Sequence, residues 1–286
     1  MKILSYNNIN FGTSHRIVYQ KGHSDCIDHM NTTCFFDGFE WDKGFDFFID
    51  KYKNTDKVNV YSLGCSDCSE ALSIAMILDT KLKGKSDKFF PIIAVDNDEE
   101  ITSYFKKGYI ALSPDDERAI NQYTNNNLNK YLTKTSITHG TNKNSNMYVR
   151  RSPYTRLSDR IEETDKRKML TLYRISPELQ KKIKVVNADV RNYVDLLDNK
   201  NNLIFARNFW IYIHKDSEEF LHKLSQKTDK NSFLVIGNED FLSCPLVCKK
   251  TFGFSMHPYI DNVFDKSGSN YFDEMLFFNK FTFTTK

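Results

Sequence analysis

Val58-Asn59-Val60-Tyr61-Ser62-Leu63, followed at once by Gly64-Cys65-Ser66-Asp67-Cys68-Ser69, decides how this chain folds. The first six residues read as a strand, half alternating and half buried. The next six form a tight polar turn. Glu70 to Leu82 then carries Ala71, Leu72, Ile74, Ala75, Met76 and Leu78, the apolar face of a helix. A second buried strand, Phe89-Phe90-Pro91-Ile92-Ile93-Ala94-Val95, ends on Asp96. Ile101, Tyr104 and Phe105 mark another helix, stopped near Gly108. Strand, turn, helix and strand in this order predict a right-handed βαβ unit and a parallel sheet.

Towards the C-terminus the pattern first loosens. Residues 113–135 read as polar helix, and 136–146 as a loop rich in Ser, Thr, Asn, Gly and Lys. Arg150, Arg151, Arg156, Arg160 and Lys166-Arg167-Lys168 make the next stretch basic. The plain reading is a solvated helical face balanced by Glu162, Glu163 and Asp165; the alternative is a docking surface for an acidic partner. Regular α/β structure then returns. Strands are predicted at 183–189, 202–208 and 232–237, with a helix over 217–224. The aromatic run 275–284 is expected to close the sheet as an antiparallel edge strand or hairpin.

Towards the N-terminus, Phe35 to Tyr52 places aromatic residues at three- and four-residue steps, which suits one or two short helices. The first 30 residues show no clear period. The expected organisation is a short N-terminal helical segment over 1–55 and one large domain over 56–286, with an insertion near 136–170.

Composition narrows the class. The chain has 286 residues, 40% apolar and 14% aromatic, enough for a sizeable core. Forty basic residues against 37 acidic ones leave a net charge of +3, so nothing points to a nucleic-acid-coating or strongly membrane-binding protein. No apolar run approaches the roughly 20 residues of a spanning helix. The N-terminus lacks the apolar core of a secretory signal, so a cytoplasmic address is expected. Of the six cysteines, Cys65, Cys68, Cys244 and Cys248 allow a split four-thiolate zinc site, but the spacings fit loosely, and ordinary buried thiols are the plainer reading.

In an open parallel sheet, ligands sit beyond the carboxyl ends of the strands. The turn at Gly64 lets backbone amides approach a ligand closely. Asp96, ending the second strand, can accept hydrogen bonds from both hydroxyls of a ribose. No second or third glycine follows Gly64, and Ser69-Glu70 put a carboxylate where a pyrophosphate would sit. That opposes a dinucleotide and favours a nucleoside carrying positive charge. S-adenosyl-L-methionine (SAM) fits, with its sulfonium and α-amino group.

These residues resemble the chemotaxis receptor methyltransferases of the CheR type. Val60 to Met76 looks like the family's W-S-x-G-C-S-T-G-E-E-P-Y-S-L-A-M segment. Ala94-Val95-Asp96-Asn97-Asp98, then Tyr104 to Tyr109, looks like A-T-D-I-D followed by A-x-x-G-x-Y. Phe205-Ala206-Arg207-Asn208-Phe209-Trp210-Ile211-Tyr212-Ile213 resembles F-C-R-N-V-L-I-Y-F, and Ile236-Gly237-Asn238-Glu239 resembles L-G-x-S-E. Thr32-Thr33-Cys34-Phe35-Phe36-Asp37 is similar to the entry E-T-x-F-F-R. The likeness spans roughly residues 30 to 240.

The resemblance implies a class I SAM-dependent methyltransferase: a Rossmann-like, mostly parallel sheet with helices on both faces. It implies a soluble chemotaxis enzyme that esterifies glutamate side chains of a chemoreceptor-like or other acidic protein, with S-adenosyl-L-homocysteine as product. Gly64, Cys65, Ser66 and Glu70 would line the methionine end of SAM. Asp96 and Asn97 would serve the ribose, and Asp189 and Val190 the adenine. Thr33 would reach the cofactor from the entry segment. Arg207 and Asn208 would shape the crevice floor, with Tyr212 near the methyl group and the acceptor. The sequence departs from the pattern at Asp37 (Arg in the family), Cys68 (Gly), Ser69 (Glu) and Ala71-Leu72 (Pro-Tyr). The N-terminal helical segment is also short beside the family's. These departures keep a second class open, a degenerate methyltransferase fold that binds a nucleoside or a protein partner without transfer.

Overall fold

The computed structural model describes residues 33–35, 39–139, 169–213, 216–237, 240, 252–257 and 259–266. The expectations for the first 30 residues, Asp37, the basic run 150–168, Cys244, Cys248 and the strand at 275–284 lie outside them.

Alternation of apolar side chains builds the centre of the molecule. Strands β1 (Asn59–Leu63), β2 (Ile92–Asp96), β6 (Ile183–Asn187), β7 (Asn202–Ala206) and β8 (Phe233–Ile236) are joined by β10 (Val263–Asp265) and β9 (Ser255–Met256). Together they form a seven-stranded sheet in the order β6-β2-β1-β7-β8-β10-β9. β1 pairs in parallel with both β2 and β7; β2 pairs in parallel with β6, and β7 with β8. β10 alone runs against its neighbours. The chain leaves β1 for β2 and β6 on one side, then crosses to β7 and β8 on the other. The strand order therefore reverses at β1, where an open α/β sheet presents its ligand crevice.

Odd and even residues of these strands enter two separate cores. Val60, Ile92, Ala94, Leu203, Phe205, Phe233 and Val235 face helices α1 (Trp41–Lys51) and α2 (Ser69–Leu82). Tyr61, Leu63, Val95, Ile204, Ala206, Leu234 and Ile236 face α7 (Val190–Tyr193) and α8 (Ser217–Gln226). A strand with both faces covered needs apolar residues at every position, and β7 and β8 are buried at all of theirs. In α1, Trp41, Gly44, Phe45 and Phe48 fall on one helical face, and the three aromatic rings pack on Phe205. In α2, Ser69 through Asp79 are all buried, because this helix is enclosed on nearly every side.

A second, three-stranded antiparallel sheet was not foreseen. It has the order β3-β5-β4, from β3 (Tyr109–Leu112), β4 (Leu132–His139) and β5 (Met169–Ile175). The polar helix expected over 113–135 is instead α4 (Pro114–Tyr123) and α5 (Leu128–Tyr131), and the chain turns to strand at Leu132. Residues 136–139, expected in a loop, belong to β4. Their strand character comes from pairing with β5, a partner 30 or more residues away that local composition does not reveal. α3 (Glu99–Lys106) and α6 (Pro177–Gln180) connect the two sheets. Among the described residues no helix is long and apolar enough to cross a membrane.

Candidate active site

The carboxyl ends of β1, β2, β7 and β8 bring most of the sequence-selected residues together. Gly64 leaves β1 with φ +70°, a conformation that suits glycine. A Cβ there would also stand 2.9 Å from the Phe209 Cβ, so the turn and the segment after β7 pack with no room between them. The Gly64 and Cys65 amides both donate to the Val95 carbonyl, at 2.9 and 3.0 Å. Ser66 and Cys68 continue in the left-handed region, at φ +50° and +72°. Cys68 thus holds a backbone of the kind glycine adopts most readily, and its side chain is fully buried.

Asp96 closes the turn from the next strand. Its Oδ2 accepts from the Ser66 amide at 2.7 Å and its Oδ1 from the Asp98 amide at 2.9 Å. The turn at 64–70 and the Asp96 carboxylate therefore face one another at a single edge of the sheet. A carboxylate has capacity for donors beyond two amides. Asn97 beside it is exposed. Asp98 caps α3 through the Ile101 amide at 3.1 Å.

Glu70 points back under the turn. Ser62 donates to its Oε1 at 2.7 Å, and the Arg207 guanidinium lies 3.5 Å from its Oε2. Burial raises the Glu70 carboxyl above its ordinary value, more than Arg207 and Ser62 lower it. Arg207 is itself buried, and stands 5.5 and 5.8 Å from the ring centres of Trp41 and Phe39. Asp67 caps the first amide of α2, accepting from Ser69 at 2.9 Å. It keeps some contact with solvent, yet the protein packed around it pushes its carboxyl up to about 7, with Asp116 and Asp96 adding repulsion. Burial also raises the Cys65 thiol, which lies 3.8 Å from that of Cys68. Among the described residues no cluster suits a metal ion.

Thr33 is half-buried. The next two amides fix the entry segment to this site, Cys34 donating to Asp116 at 2.6 Å and Phe35 to Ser73 at 2.7 Å. Tyr212 is exposed, on the short 3-10 turn Trp210–Ile213. Asp189 and Val190 sit after β6. Val190 is buried in the core, while Asp189 caps α7 and is gripped by Arg191, whose Nε lies 2.9 Å from both its oxygens. Arg191 also reaches Asp216 at 2.6 Å. Its hydrogen bonds hold the Asp189 carboxyl below the usual range. Asp189, Arg191, Asp216, Glu219 and Lys223 line an open polar cleft.

One residue of this edge was missed. Asp240, three places after Gly237, is 1% exposed and accepts three backbone amides. Burial pushes its carboxyl up to about 7. The only sequence signal was an acid just beyond the Gly237-Asn238-Glu239 segment.

With that geometry in view, the comparisons with known proteins become informative. Residues 32–150 match the family model described as CheR methyltransferase, SAM binding domain. Over that segment the chain is similar to the CheR methyltransferases. Its matched segment contains Thr33, the 64–70 turn, Asp96 and Asn97, and its cofactor is SAM. The remaining CheR-like residues, Asp189 through Tyr212, lie beyond the match. No curated protein matches the sequence. Among solved structures, the precorrin-6y C5,15-methyltransferase of Geobacter metallireducens GS-15 aligns with a TM-score of 0.35 and 8% identity, over 83% of this chain and 92% of that one. The bifunctional kinase-methyltransferase WbdD aligns in one structure with a TM-score of 0.30 and 13% identity, over 69% of this chain and 28% of that one. The chain thus spans less than a third of the WbdD chain.

The residues at the sheet edge fit the cofactor. A strand-end carboxylate facing a close-packed left-handed turn is the donor set a ribose and a sulfonium nucleoside call for.

Proposed function

We propose that this protein transfers the methyl group of SAM to a side-chain carboxylate of an acceptor protein, using the crevice between the 64–70 turn, Asp96 and the segment after β7. The observation that carries this reading is the direct bond from the Ser66 amide to Asp96, which joins the two halves of the crevice. Bound SAM supplies an activated methyl group on its sulfonium.

The chain's own residues then have modest tasks. Asp96, with Asn97 beside it, holds the ribose. Gly64, Cys65 and Ser66 let the backbone come close, and Glu70 lies under the methionine end. Thr33 approaches from the entry segment, and Asp189 and Val190 flank the adenine. Arg207 and Asn208 form the floor, and Tyr212 at the mouth orients the acceptor. A carboxylate acceptor is ionised at neutral pH, so no strong general base is needed. Positive and negative charge disperse during the transfer, which a dry crevice favours. The reading includes a cytoplasmic protein with an acidic, chemoreceptor-like partner, and a domain over 56–286 behind a short N-terminal segment.

The departures at Cys68 and Ser69 favour a second reading, a degenerate fold that binds without transfer. Against it, Cys68 holds the left-handed backbone that a glycine at this position would adopt readily. Calorimetry with SAM and with S-adenosyl-L-homocysteine is the first test; heat is expected from both, and none from either discards the proposal. A labelled-methyl assay on lysate of the source organism comes next. Base-labile label in protein is expected. Base-stable label points to a different acceptor group, and binding without label supports the degenerate fold.

A further inference from the structure

Asp240 is a buried carboxylate that the reading above leaves without a task. Its Oδ2 accepts from the Asn208 amide at 2.5 Å and from the Gly237 amide at 2.7 Å, and its Oδ1 from the Trp210 amide at 3.3 Å. Two of these donors lie on the segment after β7 and one at the end of β8. The carboxylate therefore bridges the ends of two neighbouring strands. Asn208 sits at φ +58°, and among the described residues its buried Oδ1 has no hydrogen-bond partner. Its side chain does not anchor it; its amide does, through Asp240. Gly237 completes the arrangement. A Cβ there would stand 1.9 Å from Asn208 Oδ1 and 2.9 Å from Asp240 Oδ2.

We propose that Asp240 is a positioning residue of the cofactor crevice, its carboxylate clasping the end of β8 to the segment after β7 and so setting where Asn208 and the Tyr212 turn stand. It acts through those residues and needs no contact with SAM. Three amides converge on the two oxygens of one carboxyl group, and an amide side chain presents one acceptor oxygen in place of two. The inference rests on the crevice reading given above.

The test is SAM affinity by calorimetry on the full chain, with thermal melts alongside. Asp240→Asn is expected to fold cooperatively and to bind SAM at least tenfold more weakly than wild type. Asp240→Glu, which restores both acceptor oxygens, is expected to recover part of that loss. Asp79→Asn is the control, because Asp79 is a buried, ion-paired carboxylate on α2 held by Lys130, Lys182 and Tyr131. It should lower the melting temperature and leave SAM affinity within twofold. Folded Asp240→Asn with wild-type affinity overturns the proposal, as does an equal loss of affinity in Asp79→Asn. If Asp240→Asn does not fold, Gly237→Ala strains the same clasp from the other side. A tenfold loss there supports the proposal, and wild-type binding by folded Gly237→Ala defeats it. A wild-type chain that binds no SAM removes the crevice reading itself, and this inference with it.

Discussion

Asp96 has two tasks on one carboxylate. It holds the Ser66 and Asp98 amides, and in the proposed function it also holds the ribose. Asp96→Ala is therefore expected to weaken SAM binding by about 1–3 kcal/mol, the usual cost of losing charge-assisted hydrogen bonds. Calorimetry checks this, and unchanged affinity in a folded variant would mean the ribose lies elsewhere. Cys68 makes a separate prediction. Holding a side-chain-bearing residue at φ +72° costs about 1–2 kcal/mol relative to glycine. Cys68→Gly relieves that strain and Cys68→Ala does not, while both lose the same buried thiol. The glycine variant should melt higher than the alanine variant, the reverse of ordinary helix propensity. Asp96 was legible in the sequence because a lone acid ending an apolar strand stands out. Asp240 was not, because its partners are backbone amides, which carry no sequence signal.

The ends of β1 and β7 are tied by one buried ion pair. Glu70 opens α2, Ser62 belongs to β1, and Arg207 follows β7, so a single cluster spans three elements. Removing Glu70 takes its carboxylate away from the buried Arg207 guanidinium. Glu70→Ala is expected to cost about 3–5 kcal/mol in chemical denaturation, and the double change Glu70→Leu with Arg207→Met should recover much of it. A double variant as unstable as the single one would show that the pair is not the source of the loss. Because burial raises the folded Glu70 carboxyl, this group's ionisation works against folding as pH rises above its unfolded value near 4.3. At this scale the strands flanking the βαβ unit were legible, since both faces are covered and their apolar runs are continuous. β3, β4 and β5 were not. Tyr109-Ile110-Ala111-Leu112 is short, and the Thr-rich β4 reads as polar helix up to residue 135 and loop beyond it until β5 pairs with it.

Across the whole molecule, Asp79 links three regions. It takes Lys130 and Lys182 at 2.5 Å each and Tyr131 at 3.0 Å, joining α2 to the root of the small sheet and to the approach to β6. Burial opposes its ionisation, but the bonds from Lys130 and Lys182 outweigh burial and hold its carboxyl down to about 2. A depressed folded value contributes stability that is present above the unfolded value near 3.9 and is lost as pH falls towards about 2. Acid unfolding of wild type should therefore steepen between pH 4 and 2. Asp79→Asn should flatten that part of the curve while lowering the melting temperature at neutral pH. Circular dichroism melts across this range decide it, and parallel curves for the two proteins would refute the assignment.

The sequence by itself determined the βαβ core, the strand-end acids and the tight turn after β1, because apolar periodicity and turn chemistry are local properties. It pointed to the cofactor class through the resemblance of several segments to one family, with Gly64 and Asp96 at the ends of successive strands as the local cue. Only the tertiary structure decided that Ser66 and Asp96 touch and that Glu70 is spoken for by Arg207. It alone revealed the second sheet and the Asp240 clasp. Each of these joins residues distant in the chain or depends on backbone donors, and contacts of that kind exist only once the strands have been brought side by side.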